Sequence, residues 1–521
     1  MQKLISITCL ALLALATGCS KFLDRKPLST VSPNNYYNTE SEVNSALAGV
    51  YSICAMEFMW GGRIPIRHNA STDESFYSVT NQLVGVWWFN YDGSDPVVTE
   101  MWTYLYTGIE RANMLLANIE KTQMDAGRKK AVIGEARFLR AWYYFTLVQY
   151  YGGVPLKTEP SSSVNNVDIA RNSAESVYAF VEAEMKAAEE LVGEVTDIKT
   201  TERISKSTVR AAMARMYLQW AGEPLKNTAK YADARAAALK VVQSGQHELN
   251  PDYKQIYINE CQDVNDWKEC IWETGNWGNN SDANRLGGRH GNENGVRCTS
   301  SNDQEIGYAY GFNSTTYKLY HLYAAGDLRR DWAIANYTLN SAGVKAPIGA
   351  TSIYNRNCGK WRREYELLRP LNKNYTPTNF PIIRYADVLL MLAEAENEVS
   401  GPAGAFEYLN MVRRRGYGKP IATADPAVDI TGLGQVAFRQ EIQDERAREL
   451  CFEGVRKMDL IRWGIYLEAM RDQALEIRAR ATNTYQYAAT AAERVSERHL
   501  MYPIPAIEMS LNKSMQQNPG W

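Results

Sequence analysis

From residue 39 onward the apolar positions recur at three- and four-residue spacing, so most of the chain reads as a succession of helices. Thr39-Glu40-Ser41-Glu42 carries the hydroxyl and carboxylate of a capping box and starts a helix that runs to about Ile53. Val98 to Ile119 predicts a second. In the third, from about Arg128 to Tyr151, Val132, Ala136, Leu139, Tyr143, Leu147 and Tyr150 share one face, and Gly152-Gly153-Val154-Pro155 stops it. Helices are expected next at Ser173 to Val192, Thr208 to Ala221 and Tyr231 to Ser244, with Gly222-Glu223-Pro224 between the last two. Near the C-terminus, Ile383 to Val399 and Ala403 to Arg415 predict one helical hairpin, and Gln435 to Phe452 and Val455 to Met470 another. Ala211, Ala212, Ala214, Ala386, Ala393 and Ala395 put small residues where helices approach closely, as tetratricopeptide hairpins do, although no fixed period of about 34 residues is kept. The expected fold is therefore mostly α, a tetratricopeptide-like hairpin scaffold with long irregular insertions.

Two stretches break the pattern. Residues 57–97 and 260–382 are rich in Gly, Asn and aromatics, and long irregular segments inside a compact chain are usually functional. Trp87-Trp88 stands beside Asn90 and Asp92, and Asn276-Trp277-Gly278-Asn279 repeats the mixture of indole and short amide. A pyranose has a flat C–H face that lies on an aromatic ring and a rim of hydroxyls that donate and accept, so this mixture is what a carbohydrate demands. The candidate ligand-binding residues are Trp60, Arg63, Asp73, Trp87, Trp88, Asn90, Trp277, Asn279, Tyr308 and Tyr310. Arg67, Arg285 and Arg289 have the reach to span adjacent hydroxyls or meet an acidic sugar. For any single Trp, anchoring its loop to the scaffold competes with facing a ligand.

Composition sharpens this picture. The chain has 13 Trp and 32 Tyr against 12 Phe, an excess of rings that have both an apolar body and a polar tip. A formal charge of -2 argues against nucleic acid, which asks for a basic stripe. Residues 1–18 read as a signal peptide. Lys3 gives a thin positive start, Leu4 to Ala16 an apolar run too short to span a bilayer comfortably, and Ala16-Thr17-Gly18 the small residues before a cut. Cys19 then becomes a lipidated first residue on a tether of residues 19–40, tied to a membrane by acyl chains. Ala16 stands where a strict lipobox has Leu, so an ordinary secretory signal is the alternative.

Catalytic signatures are missing. The sequence has no HExxH, GxSxG, P-loop or GxGxxG turn, and its five histidines are scattered. Asp73-Glu74 is the only carboxylate pair considered for glycoside cleavage, and neighbours in sequence rarely reach the separated geometry that this chemistry needs. Cys54, Cys261, Cys270, Cys298, Cys358 and Cys451 include no CxxC, so thiolate metal binding is not expected. Disulfides remain open, with Cys261 and Cys270 the pair to test. Glu441 to Leu450 alternates charges at helical spacing, the mark of an ion-paired structural face.

Several segments together resemble the SusD/RagB family of surface lipoproteins over nearly the whole chain. They are Cys19-Ser20-Lys21-Phe22-Leu23-Asp24 with Tyr36-Tyr37, Gly134 to Phe145 ending at Tyr151-Gly152-Gly153-Val154-Pro155, and Ile383 to Leu390. Glu445 to Arg456 leading to Asp459-Leu460-Ile461-Arg462-Trp463-Gly464, and Tyr502-Pro503-Ile504-Pro505 with Asn518-Pro519-Gly520-Trp521, are more specific. The resemblance implies a non-catalytic, lipid-anchored protein at the outer membrane. Such a protein captures nutrient oligomers, most often glycans and in the RagB branch peptides, and passes them to a SusC-like TonB-dependent transporter. It also implies an aromatic arc from loops near residues 60–95 and 265–312. A structural calcium ion is known in some members, but no EF-hand spacing occurs here. A surface glycoside hydrolase and a purely structural tetratricopeptide lipoprotein are the other readings.

Overall fold

The periodicity becomes helix along most of the chain in a computed structural model, which describes residues 36–161, 163, 168–278, 287–298 and 305–521. The expected signal peptide, Cys19 and the tether up to residue 35 lie outside the described residues, as do Asn279 and Arg285. The main helices are α1 (Glu40–Ala55), α2 (Pro96–Asn118), α3 (Ala126–Tyr151), α4 (Ala174–Glu189), α5 (Lys206–Ala221), α6 (Lys230–Gln243) and α7 (Tyr253–Gln262). They continue with α8 (Tyr385–Ser400), α9 (Phe406–Gly416), α10 (Gln435–Leu450), α11 (Arg456–Arg462), α12 (Tyr466–Arg480) and α13 (Gln486–Glu493).

Local chemistry accounts for these boundaries. Thr39 caps α1 as its sequence predicts: Thr39 Oγ1 accepts from the Glu42 amide at 3.2 Å while Glu42 Oε2 accepts from the Thr39 amide at 2.9 Å. From Phe138 to Val148 every residue of α3 is buried, so this helix has no solvent face there and forms the centre of the scaffold. Gly108 of α2 permits the approach, because a Cβ there would lie 2.4 Å from the Tyr143 ring. Packing proceeds from α1 to α2, α2 to α3, α3 to α4 and α5 to α6, then from α8 onto α6, α9 and α10. One main apolar core runs from Tyr37 to Met515.

The structure corrects four sequence expectations. Ile383 and Arg384 do not open a helix but end strand β6 (Phe380–Arg384), which pairs antiparallel with β2 (Cys270–Thr274). Arg384 is held there by Glu269, Glu449 and Glu453. The helix expected over Val455 to Met470 splits into α11 and α12, because Gly464 takes a positive φ of 74°. α7 falls at the edge of a stretch expected to be irregular. The charged face of α10 is paired mainly with other elements rather than along itself: Glu445 meets Arg329 and Arg413, Glu449 meets Arg384 and Arg415, and Arg446 meets Asp387 and Asp459, all in the interior.

Within the irregular stretches, β1 (Ser75–Tyr77) pairs antiparallel with β3 (Asn313–Thr315), with Tyr77 opposite Asn313. A small ribbon of β4 (Tyr337–Leu339) and β5 (Lys345–Pro347) follows. Cys261 and Cys270 are both buried thiols and are not joined to each other. No described helix is long and apolar enough to cross a membrane.

Candidate functional site

Pairing of β1 with β3 clamps the loop of residues 57–97 onto that of residues 287–315, and Ser78 reinforces it by donating its amide to the Phe312 carbonyl at 2.7 Å. This junction aligns five rings from the two segments. Trp87 lies 5.0 Å from Tyr77, Tyr77 5.2 Å from Phe312, Phe312 5.1 Å from Tyr310, and Tyr310 4.7 Å from Tyr308. Trp87 is held from behind, since its Nε1 donates to the Gln82 carbonyl at 2.9 Å and only 7% of its surface is exposed. Tyr308 and Tyr310 are half-buried and form the open end of the run.

Charge follows the rings. The Arg67 guanidinium stands 5.4 Å from the Trp87 ring and 5.7 Å from that of Phe312, and donates to both oxygens of Glu293 at 3.3 and 3.0 Å. Burial works against the charge on Arg67, but Glu293, Tyr77 and Glu57 together outweigh it and leave the pKa above its ordinary value. Arg289 continues the ladder to Glu57 at 3.0 Å and lies 4.2 Å over the Tyr375 ring. Arg63 meets Glu100 at 2.8 Å and covers the Phe58 ring at 3.9 Å. At the open end, Lys373 lies 5.1 Å from the Tyr308 ring and the Tyr310 hydroxyl donates to Asn374 Oδ1 at 3.3 Å.

A second edge comes from the segment after β2. Trp277 is 41% exposed, and the adjoining Gly278 carbonyl and Tyr375 Cβ close on Gly287, where a Cβ would lie 2.8 and 2.9 Å from them. Leu83 and Val84, beside the backbone that receives the Trp87 indole, are 47% and 66% exposed. Tyr308, Tyr310, Lys373 and Asn374 therefore border one open margin of the loops, with the buried rings of Phe312, Tyr77 and Trp87 behind them.

The sequence-chosen residues divide accordingly. Tyr308 and Tyr310 lie on this margin, Trp277 stands at its edge and Asn90 is exposed, while Trp87, which is buried, and Arg63, paired with Glu100, lie behind it. Trp60 and Trp88 point inward instead. Trp60 packs 5.7 Å from Trp142 and its carbonyl meets His290 Nε2 at 2.8 Å, while Trp88 stacks on Tyr487 at 5.8 Å. Both have the loop-anchoring role that competed with ligand contact. Asp73 likewise leaves the set: its carboxylate is buried and held by Arg456 at 2.8 and 2.7 Å and by Lys318 at 2.8 Å, which keep it ionised well below the usual range against the cost of burial. Its neighbour Glu74 is also buried, and Glu74 Oε1 accepts from the Phe452 amide at 3.0 Å, so neither carboxylate faces a cleft. Sequence reading missed Tyr77, Phe312, Tyr375 and Asn374, for which only the general aromatic excess gave a signal.

A family model described as the SusD family matches residues 268–521, and one described as starch-binding associating with outer membrane matches residues 21–218. The crystal structure of a SusD homologue from Bacteroides thetaiotaomicron is 30% identical, superposes with a TM-score of 0.88, and covers 95% of this chain and 99% of its own. SusD-like protein P25 of Formosa agariphila is 26% identical over 95% of this chain and 94% of its own length. The starch-binding protein SusD of B. thetaiotaomicron is 25% identical over 81% of this chain and 78% of its own. With a shared fold over almost its whole length and matching models in both halves, the chain belongs to the SusD/RagB family.

Proposed function

We propose that this chain is a non-catalytic glycan-binding lipoprotein of the outer membrane, which captures oligosaccharide or polysaccharide on the aromatic margin and delivers it to a SusC-like TonB-dependent transporter. The observation that carries the reading is the pair of half-buried rings Tyr308 and Tyr310, 4.7 Å apart, at the open end of a run whose other rings, Phe312, Tyr77 and Trp87, are buried behind them, with Lys373 and Asn374 alongside. A sugar face stacks on these two rings while the Lys373 ammonium and the Asn374 amide meet its hydroxyls. The starch-binding relative and the family description of outer-membrane association support the same role. Lipid attachment at Cys19 would hold the protein at the membrane, and residues 41–521 act as one SusD-like unit. Capture followed by handover needs only moderate affinity, since slow release would stall delivery.

Calorimetry and a glycan array with the purified chain test the proposal. Saturable binding to at least one polysaccharide is expected, lost in a Tyr308→Ala/Tyr310→Ala variant that keeps its melting temperature, with no shortened products after prolonged incubation. Binding to peptides alone would transfer the site to the RagB branch, and release of short oligosaccharides would make the protein an enzyme.

A further inference from the structure

Glu260, Cys270 and Glu273 bring two carboxylates and a thiol together away from the ring run. Glu260 lies in the last turn of α7, where unpaired carbonyls concentrate negative potential, and Cys270 and Glu273 lie on β2. Residues three apart on a regular strand face opposite sides, but register shifts between Cys270 and Trp272 and between Trp272 and Glu273 bring both side chains to α7. One ligand atom from each of the three lies within 4.8 Å of the other two, and all three residues are buried.

The polar bonding around them is incomplete. Glu273 Oε1 accepts from Thr201 Oγ1 at 2.7 Å and from Asn379 Nδ2 at 3.3 Å, whereas Glu260 Oε2 is buried with no hydrogen-bond partner. Arg384, whose charge reaches Glu260, is already shared among Glu269, Glu449 and Glu453. The two buried carboxyl groups are hydrogen-bonded to each other and Glu273 also to Cys270, yet one Glu260 oxygen keeps no partner, so the cluster has the donor set and the spare coordination for a cation.

We propose that Glu260, Cys270 and Glu273 bind one divalent transition-metal cation of the Zn2+ type, leaving a fourth position for water. A thiolate among the ligands selects such a borderline-soft ion over Ca2+ or Mg2+, which take oxygen alone. Tetrahedral bonds of about 2.0–2.3 Å place ligand atoms about 3.3–3.8 Å apart, a contraction within reach of side-chain rotation. Binding releases to solvent both the Cys270 thiol proton and the proton that the carboxyl pair shares, and the ion's two charges offset all but one of the three anionic ligands. The ion would staple α7 to β2, the strand that continues through Gly275 and Asn276 to Trp277, and so fix the base of one edge of the ligand-binding margin. No CxxC spacing marks such a site, because a helix residue is joined to a bulged strand.

The full chain, stripped with chelator and titrated with Co2+, tests this directly. One equivalent is expected, with a near-ultraviolet thiolate-to-cobalt charge-transfer band that Cys270→Ser abolishes and Cys358→Ser keeps. Zn2+ should raise the melting temperature of the wild type and chelator lower it, while Glu260→Gln, which keeps the side-chain shape, should respond to neither. A wild type with no cobalt band and a melting temperature indifferent to Zn2+ and chelator would overturn the proposal and leave a carboxyl pair sharing a proton. Sugar binding unaffected by Zn2+ would leave the metal site standing, because the two readouts are independent.

Discussion

Asp73 and Arg456, 383 residues apart in sequence, form a two-point ion pair with both N···O distances below 3 Å, at 2.8 and 2.7 Å. It ties the loop that carries Tyr77 and Trp87 to the start of α11, so the candidate binding surface is fixed to the helical scaffold through a buried charge pair. Gly454, just before α11, completes the junction: it has a φ of 75°, and a Cβ there would lie 2.6 Å from Pro65 Cα.

Removing one partner of this pair leaves the other charged and buried. Arg456→Ala is expected to cost about 3–5 kcal/mol, with Lys318 retaining part of the Asp73 charge balance at 2.8 Å. The double variant Asp73→Ala/Arg456→Ala should recover part of that loss, because the stranded carboxylate is gone. Urea unfolding measures both. A double variant no more stable than Arg456→Ala alone would contradict this account.

Ring substitutions should separate into two kinds. Tyr308→Ala and Tyr310→Ala remove half-buried rings at the open end, so each is expected to lower sugar affinity by about 0.5–1.5 kcal/mol, or up to roughly tenfold in Kd, with little change in stability. Trp60→Ala and Trp88→Ala remove rings packed on Trp142 and Tyr487 and should cost about 3–5 kcal/mol of stability. Calorimetry and thermal melts on the same four proteins check the division. A Trp88 variant that melts like the wild type but no longer binds would return Trp88 to the ligand set.

The helices were legible in sequence because their signals are local: the Thr39 capping box, the Gly152-Gly153 stop and the small residues of α5 each act within a few residues of where they stand. The ring run was legible only in part. Trp87, Tyr308 and Tyr310 stand out as loop aromatics, but Tyr77 and Phe312 join them through β1 and β3, whose pairing spans more than two hundred residues. Burial of Trp60 and Trp88 depends on Trp142 and Tyr487, which no local pattern links to them. The structural role of Asp73 is illegible for the same reason, since its partner Arg456 lies almost at the other end of the chain.

Glu74 and His290 make stability depend on pH in opposite directions over overlapping windows. Burial lifts the Glu74 carboxyl from its ordinary 4.5 to about 8, only partly offset by Arg456 and by the Phe452 amide. Below pH 4.5 folded and unfolded chains are both protonated at Glu74 and its contribution is complete; it drains as pH rises through 8, at up to about 1.4 kcal/mol per unit. Glu74→Gln, which cannot ionise, should therefore gain on the wild type steadily from about pH 5 to about pH 8. For His290, burial lowers the imidazole from 6.5 to about 4, against its bond to the Trp60 carbonyl. Its contribution is intact above pH 6.5 and is lost as pH falls toward 4, when the unfolded chain takes up a proton that the folded chain refuses. His290→Gln keeps an N–H for that carbonyl and should lessen the acid loss between about pH 6.5 and about pH 4, while leaving the alkaline side of the curve to Glu74. Thermal melts of the three proteins across this range give the two difference curves, and a gap between either variant and the wild type that stays constant with pH would remove that residue from the account.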